Sequence, residues 1–450
     1  MILFISNGHG EDLIGAIVAH ELLELMRQAD SKAASDAAGV CALPLVGLGR
    51  PYRDAGIRVL GETRVLPSGG FAKHGVSLFL RDLAAGLPGL TLAQIRTMQG
   101  VRNQVRLAVC VGDIYPVLMA RLFLGSPILF LSTAKSEYIR GHLGIEKLVM
   151  RRTCELVLAR DEATAMALRR SGVRARFVGN VMMDSFSITG ENFGLSLERK
   201  VVGIMPGSRE EAYDNMAAIL NAVVRLDYLS GGALDFLAAL APSLDVERLG
   251  RRVDACGWEF VSAPVPAESG VVGELRCRRP GRSGSVSGSV CGSGFGSGHG
   301  PGRDGDEAGA GAGAGDRDRG GDRAAREIRV VVTQGRFGDV LNIASIFIGL
   351  AGTANEQACG MGKPVVAFVG RGPQFNRRFA LAQKRLLGDA LSIVESDPDI
   401  VAREVLAILN DTSRYNAARK TGAERMGGPG GARRVAGLIR NYLENGTWGE

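Results

Sequence analysis

The chain has 450 residues, of which 46% are hydrophobic and 22% charged, and its formal net charge is +7. These values are typical of a globular protein of two domains and exclude a largely disordered chain. The small positive excess permits attraction to phosphate groups or anionic lipid, whereas an aromatic content of 6% weighs against nucleic-acid binding. The seven cysteines show no zinc-binding spacing, so we expect reduced, mostly buried thiols.

The start of the chain and its apolar segments indicate where in the cell the protein is expected. Met1 directly precedes a strand-like run without a signal or transit peptide, which favours a cytoplasmic protein, or a plastid protein whose leader is missing from this sequence. The most apolar segment, 107–131, is interrupted by Asp113, Pro116, Arg121 and Pro127. We therefore do not expect it to span a membrane.

The first half of the chain alternates apolar runs with amphipathic segments. Strands are predicted at 2–6, 105–111, 128–132, 155–159 and 175–178, with helices at 13–27, 115–124 and 161–171. Repeated β-α-β units indicate a parallel sheet covered by helices. We interpret residues 1–184 as a Rossmann-like N-terminal domain and 185–200 as a linker.

The second half repeats this pattern. Strands are predicted at 201–205, 329–333, 346–350 and 364–369 within a second Rossmann-like domain, 201–431, followed by a C-terminal helix and tail, 432–450. Residues 270–326 are rich in Gly, Ser, Arg and Asp, and cannot bury enough apolar surface to offset their chain entropy. They are predicted to form a disordered insertion in the second domain.

A glycine-rich turn follows the first strand. Gly8 and Gly10 allow the backbone to bend sharply and to approach a ligand. The acidic start of the next helix, Glu11-Asp12, suits sugar hydroxyls or capping better than phosphate, and the dinucleotide pattern G-x-G-x-x-G is not completed. His9 is either a general base or an ordinary loop residue.

Asp113 ends a buried strand and begins a helix. Ligands of open α/β sheets bind at the carboxyl ends of strands, where a carboxylate can accept the proton of an attacking hydroxyl. An N-cap of the following helix is the equally supported alternative.

Two turns in the second half suit a nucleoside diphosphate. Ser208 and Arg209 offer a hydroxyl and a bidentate guanidinium for phosphate, unless Arg209 pairs with a neighbouring glutamate. In 346–356 an apolar strand runs through Gly352-Thr353 into a helix, whose N–H groups and dipole attract an anion. Glu356 can accept hydrogen bonds from sugar hydroxyls, which favours a glycosyltransferase over a dehydrogenase or a kinase.

Residues 68–92 carry apolar side chains interleaved with Lys73, His74 and Arg81. Such a segment can rest on a membrane surface or admit an acyl chain. A core helix with a solvated basic edge is the favoured alternative.

Five short motifs, in this order, resemble those of lipid-A-disaccharide synthase and, more closely, of the related proteins of cyanobacterial and plastid lineages. They are the glycine-rich first loop (6–15), the aspartate segment (111–113), the end of the first domain (177–184), the entry to the second domain (206–209) and the nucleotide-sugar motif (351–356).

The resemblance implies a GT-B fold, with two Rossmann-like domains facing each other across a cleft, and an inverting, metal-independent transfer from a UDP-sugar without a cofactor. The acceptor is expected to be a lipid or lipid-linked saccharide, with peripheral membrane association. Asp113 is the expected general base, with His9 second. The donor-binding residues are expected to be Ser208, Arg209, Gly352, Thr353, Asn355 and Glu356, and the acceptor loop Asn7, Gly8 and Gly10.

Two alternatives to a glycosyltransferase remain open. One is a UDP-sugar epimerase of the same fold, which would need further carboxylates near the sugar. The other is a non-catalytic protein that binds a nucleotide sugar.

Overall fold

A computed structural model describes residues 1–28, 39–64, 86–196, 198–263, 268–278, 327–370 and 375–449, with the exception of the His9 side chain. In these residues the strands form two sheets, of seven and eight strands. One sheet lies before the predicted linker 185–200 and the other begins at its end. The predicted α/β architecture is confirmed.

The first sheet is entirely parallel. Its strands are β1 (Ile2–Ser6), β2 (Val40–Pro44), β3 (Arg58–Val59), β4 (Leu107–Gly112), β5 (Ile128–Ser132), β6 (Leu156–Ala159) and β7 (Ala175–Arg176). Their spatial order is β3-β2-β1-β4-β5-β6-β7. Strands β1, β4 and β5 are buried along their whole length and apolar except for the last residue of β1 and β5, a serine, as expected for a parallel sheet covered on both faces. The strand order reverses between β1 and β4, where ligands of such sheets bind.

Helices connect these strands. They are α1 (His9–Gln28), α2 (Arg50–Asp54), α3 (Leu87–Val101), α4 (Ile114–Phe123), α5 (Gly144–Thr153) and α6 (Glu162–Arg170). Of the predicted membrane-surface segment 68–92, residues up to 85 lie outside the described part of the chain, and the end belongs to α3. None of the helices in the described ranges combines the length and the hydrophobicity needed to cross a bilayer.

The second sheet is parallel except at one edge. Its strands are β8 (Lys200–Met205), β9 (Leu234–Leu240), β10 (Glu259–Ser262), β11 (Val271–Arg278), β12 (Glu327–Gln334), β13 (Ile346–Gly349), β14 (Val365–Phe368) and β15 (Leu391–Val394). They lie in the order β10-β11-β12-β9-β8-β13-β14-β15. Strand β11 pairs antiparallel with both β10 and β12.

The predicted insertion 270–326 begins too early, because 271–278 form strand β11. Alternate residues of β11 face the core, and Leu275 is completely buried. This strand pairs with β12 along its length. The pairing and the burial of Leu275 compensate for the conformational entropy that the strand loses on folding, which the composition alone did not indicate. Residues 279–326 lie outside the described part of the chain.

A second group of helices lies in the second half of the chain. They are α7 (Ala212–Leu229), α8 (Val246–Asp254), α9 (Phe337–Ile343), α10 (Thr353–Gly360), α11 (Arg377–Leu387), α12 (Pro398–Asn410), α13 (Thr412–Met426) and α14 (Gly431–Asn445). We call the first sheet with its helices the N-terminal lobe and the second sheet with α7–α13 the C-terminal lobe.

The predicted linker is docked rather than extended into solvent. The buried carboxylate of Asp339 accepts hydrogen bonds from the backbone N–H groups of Thr189 (2.6 Å) and Gly190 (2.9 Å). The Phe186 ring packs edge-on against Phe337 at 6.0 Å between centroids. These contacts fix the entry to the C-terminal lobe against α9.

Helix α14 returns to the N-terminal lobe. Its buried side chains Val435, Ala436 and Ile439 belong to the same apolar core as β1 and α1. The Asp184 carboxylate accepts hydrogen bonds from the backbone N–H groups of Gly430 and Ala432 at the start of the helix. This satisfies N–H groups that have no acceptor within the helix and complements its dipole.

Candidate active site

A cavity of about 1040 Å³ opens at the carboxyl edge of the second sheet. Its wall includes the last residues of β8 (Met205) and β9 (Leu240) and residues just beyond β12 (Gly335) and β13 (Leu350). Ligands of open α/β sheets bind at this edge, and the volume is sufficient for a nucleotide sugar.

Five of the six predicted donor-binding residues line this one cavity: Ser208, Arg209, Gly352, Thr353 and Glu356. They meet because β8 and β13 are neighbouring parallel strands, so that the turns following them lie side by side. The Leu350 N–H donates to the Met205 carbonyl (2.8 Å), and Gly207 adopts a φ of +114° directly beside the Leu350 carbonyl. Glycine is suited to this backbone conformation because it has no Cβ.

The start of α10 presents backbone donors to the cavity. Its N-cap residue, Gly352, has no side chain to bond the first turn of the helix. The first N–H groups of a helix have no acceptor within it, and the dipole adds partial positive charge. A phosphate oxygen bound at Gly352 and Thr353 would satisfy both conditions.

Asn355 is the predicted donor residue that the structure does not bring to the cavity. Its completely buried amide donates to the Gly349 carbonyl (3.1 Å) and to Gln383 Oε1 (3.0 Å). These bonds hold the turn between β13 and α10 from behind the cavity wall.

The turn after β8 is held by its neighbours. The Ser208 carbonyl accepts a hydrogen bond from Ser243 Oγ (3.0 Å). Glu210, considered from the sequence as a partner of Arg209, forms an ion pair with Arg248 of α8. Both Ser208 and Arg209 are exposed at the cavity wall.

Glu356 forms an ion pair with Arg160, a residue of the other lobe. Arg160 directly follows β6, and each of the two side chains is only 14% exposed. A second contact between the lobes lies at Tyr138, whose ring is 3.8 Å from the guanidinium of Arg425 in α13. The carboxyl edge of the first sheet therefore faces the start of α10, and no sequence motif indicated Arg160.

Asn7 and Asp113 meet at the carboxyl edge of the first sheet. Asn7 Nδ2 donates to Asp113 Oδ1 (2.8 Å), which also accepts from the Tyr115 N–H (2.9 Å). Asp113 thus caps α4, as one of the two interpretations of the sequence expected, and neither residue lines the cavity. Gly112, at φ +124°, leaves room for the Asn7 amide.

The rest of the glycine-rich turn begins α1. His9 is the first residue of the helix, and its side chain lies outside what the structure describes. A Cβ on Gly8 would meet the Glu11 carboxylate, whereas one on Gly10 would meet open space. The roles predicted for Gly8, His9 and Gly10 stay predictions.

Asp12 does not face a sugar site, because it is completely buried. Its Oδ1 accepts a hydrogen bond from Ser6 Oγ (2.6 Å), and Ser6 Oγ lies 3.0 Å from the Tyr52 hydroxyl. Burial raises the pKa of the Asp12 carboxyl to about 7, although the bond from Ser6 opposes this.

A buried histidine that the sequence did not single out lies near Asp113. His142 Nε2 is 2.9 Å from the hydroxyl of Ser132, and Ser132 is in register with Gly112, the residue before Asp113. Burial lowers the pKa of His142, so the imidazole is predominantly neutral at pH 7. Its Nδ1 has no hydrogen-bond partner among the described residues.

No group of three or more His, Cys, Asp or Glu side chains that could hold a metal ion occurs in the described ranges.

Comparison with solved structures shows the class of fold. The chain aligns with the calicheamicin glycosyltransferase over 99% of its own length and 98% of the other (15% identity, TM-score 0.54). It aligns with the spinosyn rhamnosyltransferase, solved with thymidine diphosphate, over 99% of its own length and 100% of the other (12% identity, TM-score 0.51). It aligns with a UDP-GlcNAc 2-epimerase from Neisseria meningitidis, bound to UDP-GlcNAc, over 99% of its own length and 100% of the other (10% identity, TM-score 0.51). The chain therefore has the GT-B fold, which these glycosyltransferases share with an epimerase.

In sequence, the chain is similar to the lipid-A-disaccharide synthase of Trichlorobacter lovleyi, with 21% identity over 300 residues. The match covers 61% of this chain and 59% of that protein, so it spans less than two thirds of the relative's length. No protein-family model matches the chain.

Proposed function

We propose that the protein is a glycosyltransferase that moves a sugar from a UDP-sugar to a lipid or lipid-linked saccharide, with inversion at the sugar and without a metal ion. The observation that carries this proposal is the assembly of five predicted donor residues around one cavity at the carboxyl edge of the second sheet. The choice of a lipid acceptor rests on the similarity to a lipid-A-disaccharide synthase.

In this proposal the C-terminal lobe binds the donor. The N–H groups at Gly352 and Thr353, with Ser208 and Arg209, bind the diphosphate and stabilise the charge that develops on it as UDP leaves. Glu356 accepts hydrogen bonds from the ribose hydroxyls.

The N-terminal lobe supplies the base. Asp113 accepts the proton of the acceptor hydroxyl, whose oxygen forms a bond to the anomeric carbon while the bond to the UDP oxygen breaks. Attack opposite to the leaving group inverts the configuration. The contact between Arg160 and Glu356 supports this division, because it brings the carboxyl edge of the first sheet to the donor cavity.

Donor binding is tested by titrating UDP into the wild-type protein and Glu356→Gln in a calorimeter. A hydrogen bond to a charged group contributes about 1.5–3 kcal/mol, so we expect roughly 10- to 100-fold weaker binding in the variant. Equal affinities would exclude Glu356 from the donor site.

Catalysis is tested with Asp113→Asn, by assaying UDP release from a panel of UDP-sugars with lipid extracts as acceptors. Asparagine caps a helix as well as aspartate does, so folding and UDP affinity should be retained. Loss of the base should slow turnover by about 100-fold or more. Full activity in this variant would remove Asp113 from the mechanism.

A 2-epimerase is the second candidate, since a UDP-GlcNAc 2-epimerase shares the fold. It would convert a UDP-sugar without any acceptor. A changed sugar nucleotide in the acceptor-free reaction, detected by chromatography, would favour it over the transferase.

A further inference from the structure

We propose that Arg160 of the N-terminal lobe is a positioning residue of the donor site, which orients the Glu356 carboxylate for the 2′,3′-diol of the ribose. Recognition of the nucleotide then depends on contact between the two lobes. This inference rests on the proposed function, since it assigns a further residue to the same site.

The location of the pair is the first support. Glu356 lies in the first turn of α10 and in the wall of the cavity, and Arg160 Nη2 bonds its Oε2 from the end of β6. An ionised carboxylate has about four lone-pair positions. One bond to Arg160 therefore leaves acceptor positions for two ribose hydroxyls while it restricts rotation of the side chain.

Burial distinguishes this pair from the ion pairs on the surface. Arg160 and Glu356 are each 14% exposed, whereas Arg174 and Glu155, another pair of the N-terminal lobe, are 76% and 45% exposed and 3.7 Å apart. An exposed pair contributes little to stability or order. Removal of one partner from a mostly buried pair leaves the other charge without compensation.

Charge is the third argument. The cavity wall that receives the negatively charged diphosphate also contains the Glu356 carboxylate, and two negative charges at close range repel each other. Arg160 offsets the carboxylate charge. Its Nε–H is buried without a hydrogen-bond partner among the described residues, so the bond to Glu356 does not use all of its donors.

The test compares the affinities of UDP and 2′,3′-dideoxy-UDP, measured by calorimetry at one salt concentration. We expect the wild-type protein to prefer UDP by about tenfold or more. Arg160→Met should reduce this preference to about threefold or less, because the carboxylate is no longer oriented, and Arg160→Lys should lie between the two. Arg174→Met, at the exposed pair, is the matched control and should keep the full preference.

The outcomes separate this inference from the proposed function. A wild-type protein that binds no UDP overturns both. UDP binding without preference for the diol overturns the role of the Arg160–Glu356 pair and leaves a UDP site in place. An undiminished preference in Arg160→Met shows that Arg160 is only structural. Circular dichroism verifies folding, and if Arg160→Met does not fold, an undiminished preference in Arg160→Lys overturns the inference.

Discussion

At the scale of single residues, Asp12 has an unusual environment for a carboxyl group. Ser6 bonds one of its oxygens, and the other oxygen is buried without a partner among the described residues. Burial disfavours the charged form, which is why the pKa rises to about 7. The group must therefore take up a proton as the chain folds near pH 6.

This raised pKa has a consequence for stability. The carboxyl contributes stability fully below its usual pKa of 3.8, and this contribution is lost as the pH rises towards 7. Over that interval the free energy of unfolding should fall by up to about 1.4 kcal/mol per pH unit from this group. Asp12→Asn should show a smaller decline between pH 5 and pH 8.

Urea denaturation of both proteins at the two pH values measures the difference. Groups common to both chains, such as His142, cancel in the comparison. Parallel declines would show that Asp12 is ionised in the folded state.

Residues whose position depends on local sequence were predictable. Ser208, Arg209 and Gly352 lie in turns between a strand and a helix, and Thr353 and Glu356 lie in the first turn of the helix that follows. Such turns meet at one edge of a parallel sheet. Their assembly around the cavity follows from that geometry.

Residues whose contacts lie far away in the sequence were not predictable. Arg160 lies 196 positions from Glu356, and the bond between them depends on how the lobes meet. Asn355 was assigned to the donor site from its motif, but its amide faces inward. Within a short helix, the hydrophobic periodicity of the sequence does not show whether a side chain faces the cavity or the core.

At the scale of elements, the turns after β8 and β13 form part of the cavity wall. Gly207 links them, since its φ of +114° places it beside the Leu350 carbonyl, 3.4 Å from where a Cβ would lie. The turn that carries Ser208 and Arg209 therefore requires glycine at this position.

We expect Gly207→Ala to weaken UDP binding as well as to lower stability by about 1–3 kcal/mol, because the strained turn must rearrange. Gly231→Ala is a suitable control, since Gly231 also has a positive φ (+64°) but has open space around it and lies outside the cavity wall. It should lower the melting temperature and leave UDP affinity unchanged. Equal affinity losses in the two variants would argue against a specific role of the turn.

Among the elements, apolar strands were predicted best, although β2, which is also apolar and buried, was not predicted. Long apolar runs such as β1, β4 and β5 are unambiguous in the sequence. Strand β11 was missed because its charged and glycine residues resemble those of the segment that follows, and its partner β12 comes 49 positions after the last residue of β11. Pairing across such a distance leaves no local signal.

At the scale of the whole molecule, α14 follows the C-terminal lobe in the chain but contributes to the core of the N-terminal lobe. Ile439 is completely buried among side chains of α1 and β1. The sequence predicted this C-terminal helix, but the amphipathic pattern of a helix does not indicate which lobe its apolar face packs against.

Ile439→Ala should destabilise the N-terminal lobe by about 2–5 kcal/mol, because it leaves a cavity in that core. Hydrogen exchange should show reduced protection in β1 and α1. Ile400→Ala, at a 40% exposed position of α12, serves as the control and should change little. Loss of protection confined to the C-terminal lobe would contradict the packing.

Because α14 lies with the first sheet, the chain passes between the lobes twice, once through 185–199 and once through 427–430. A protease that cut the chain within 185–199 would produce an N-terminal and a C-terminal fragment. Helix α14 belongs to the C-terminal fragment but would remain packed in the core of the N-terminal one. The cleaved protein should therefore elute as one particle on gel filtration and separate only in denaturant, because the two halves of the protein are joined by a helix as well as by a peptide bond.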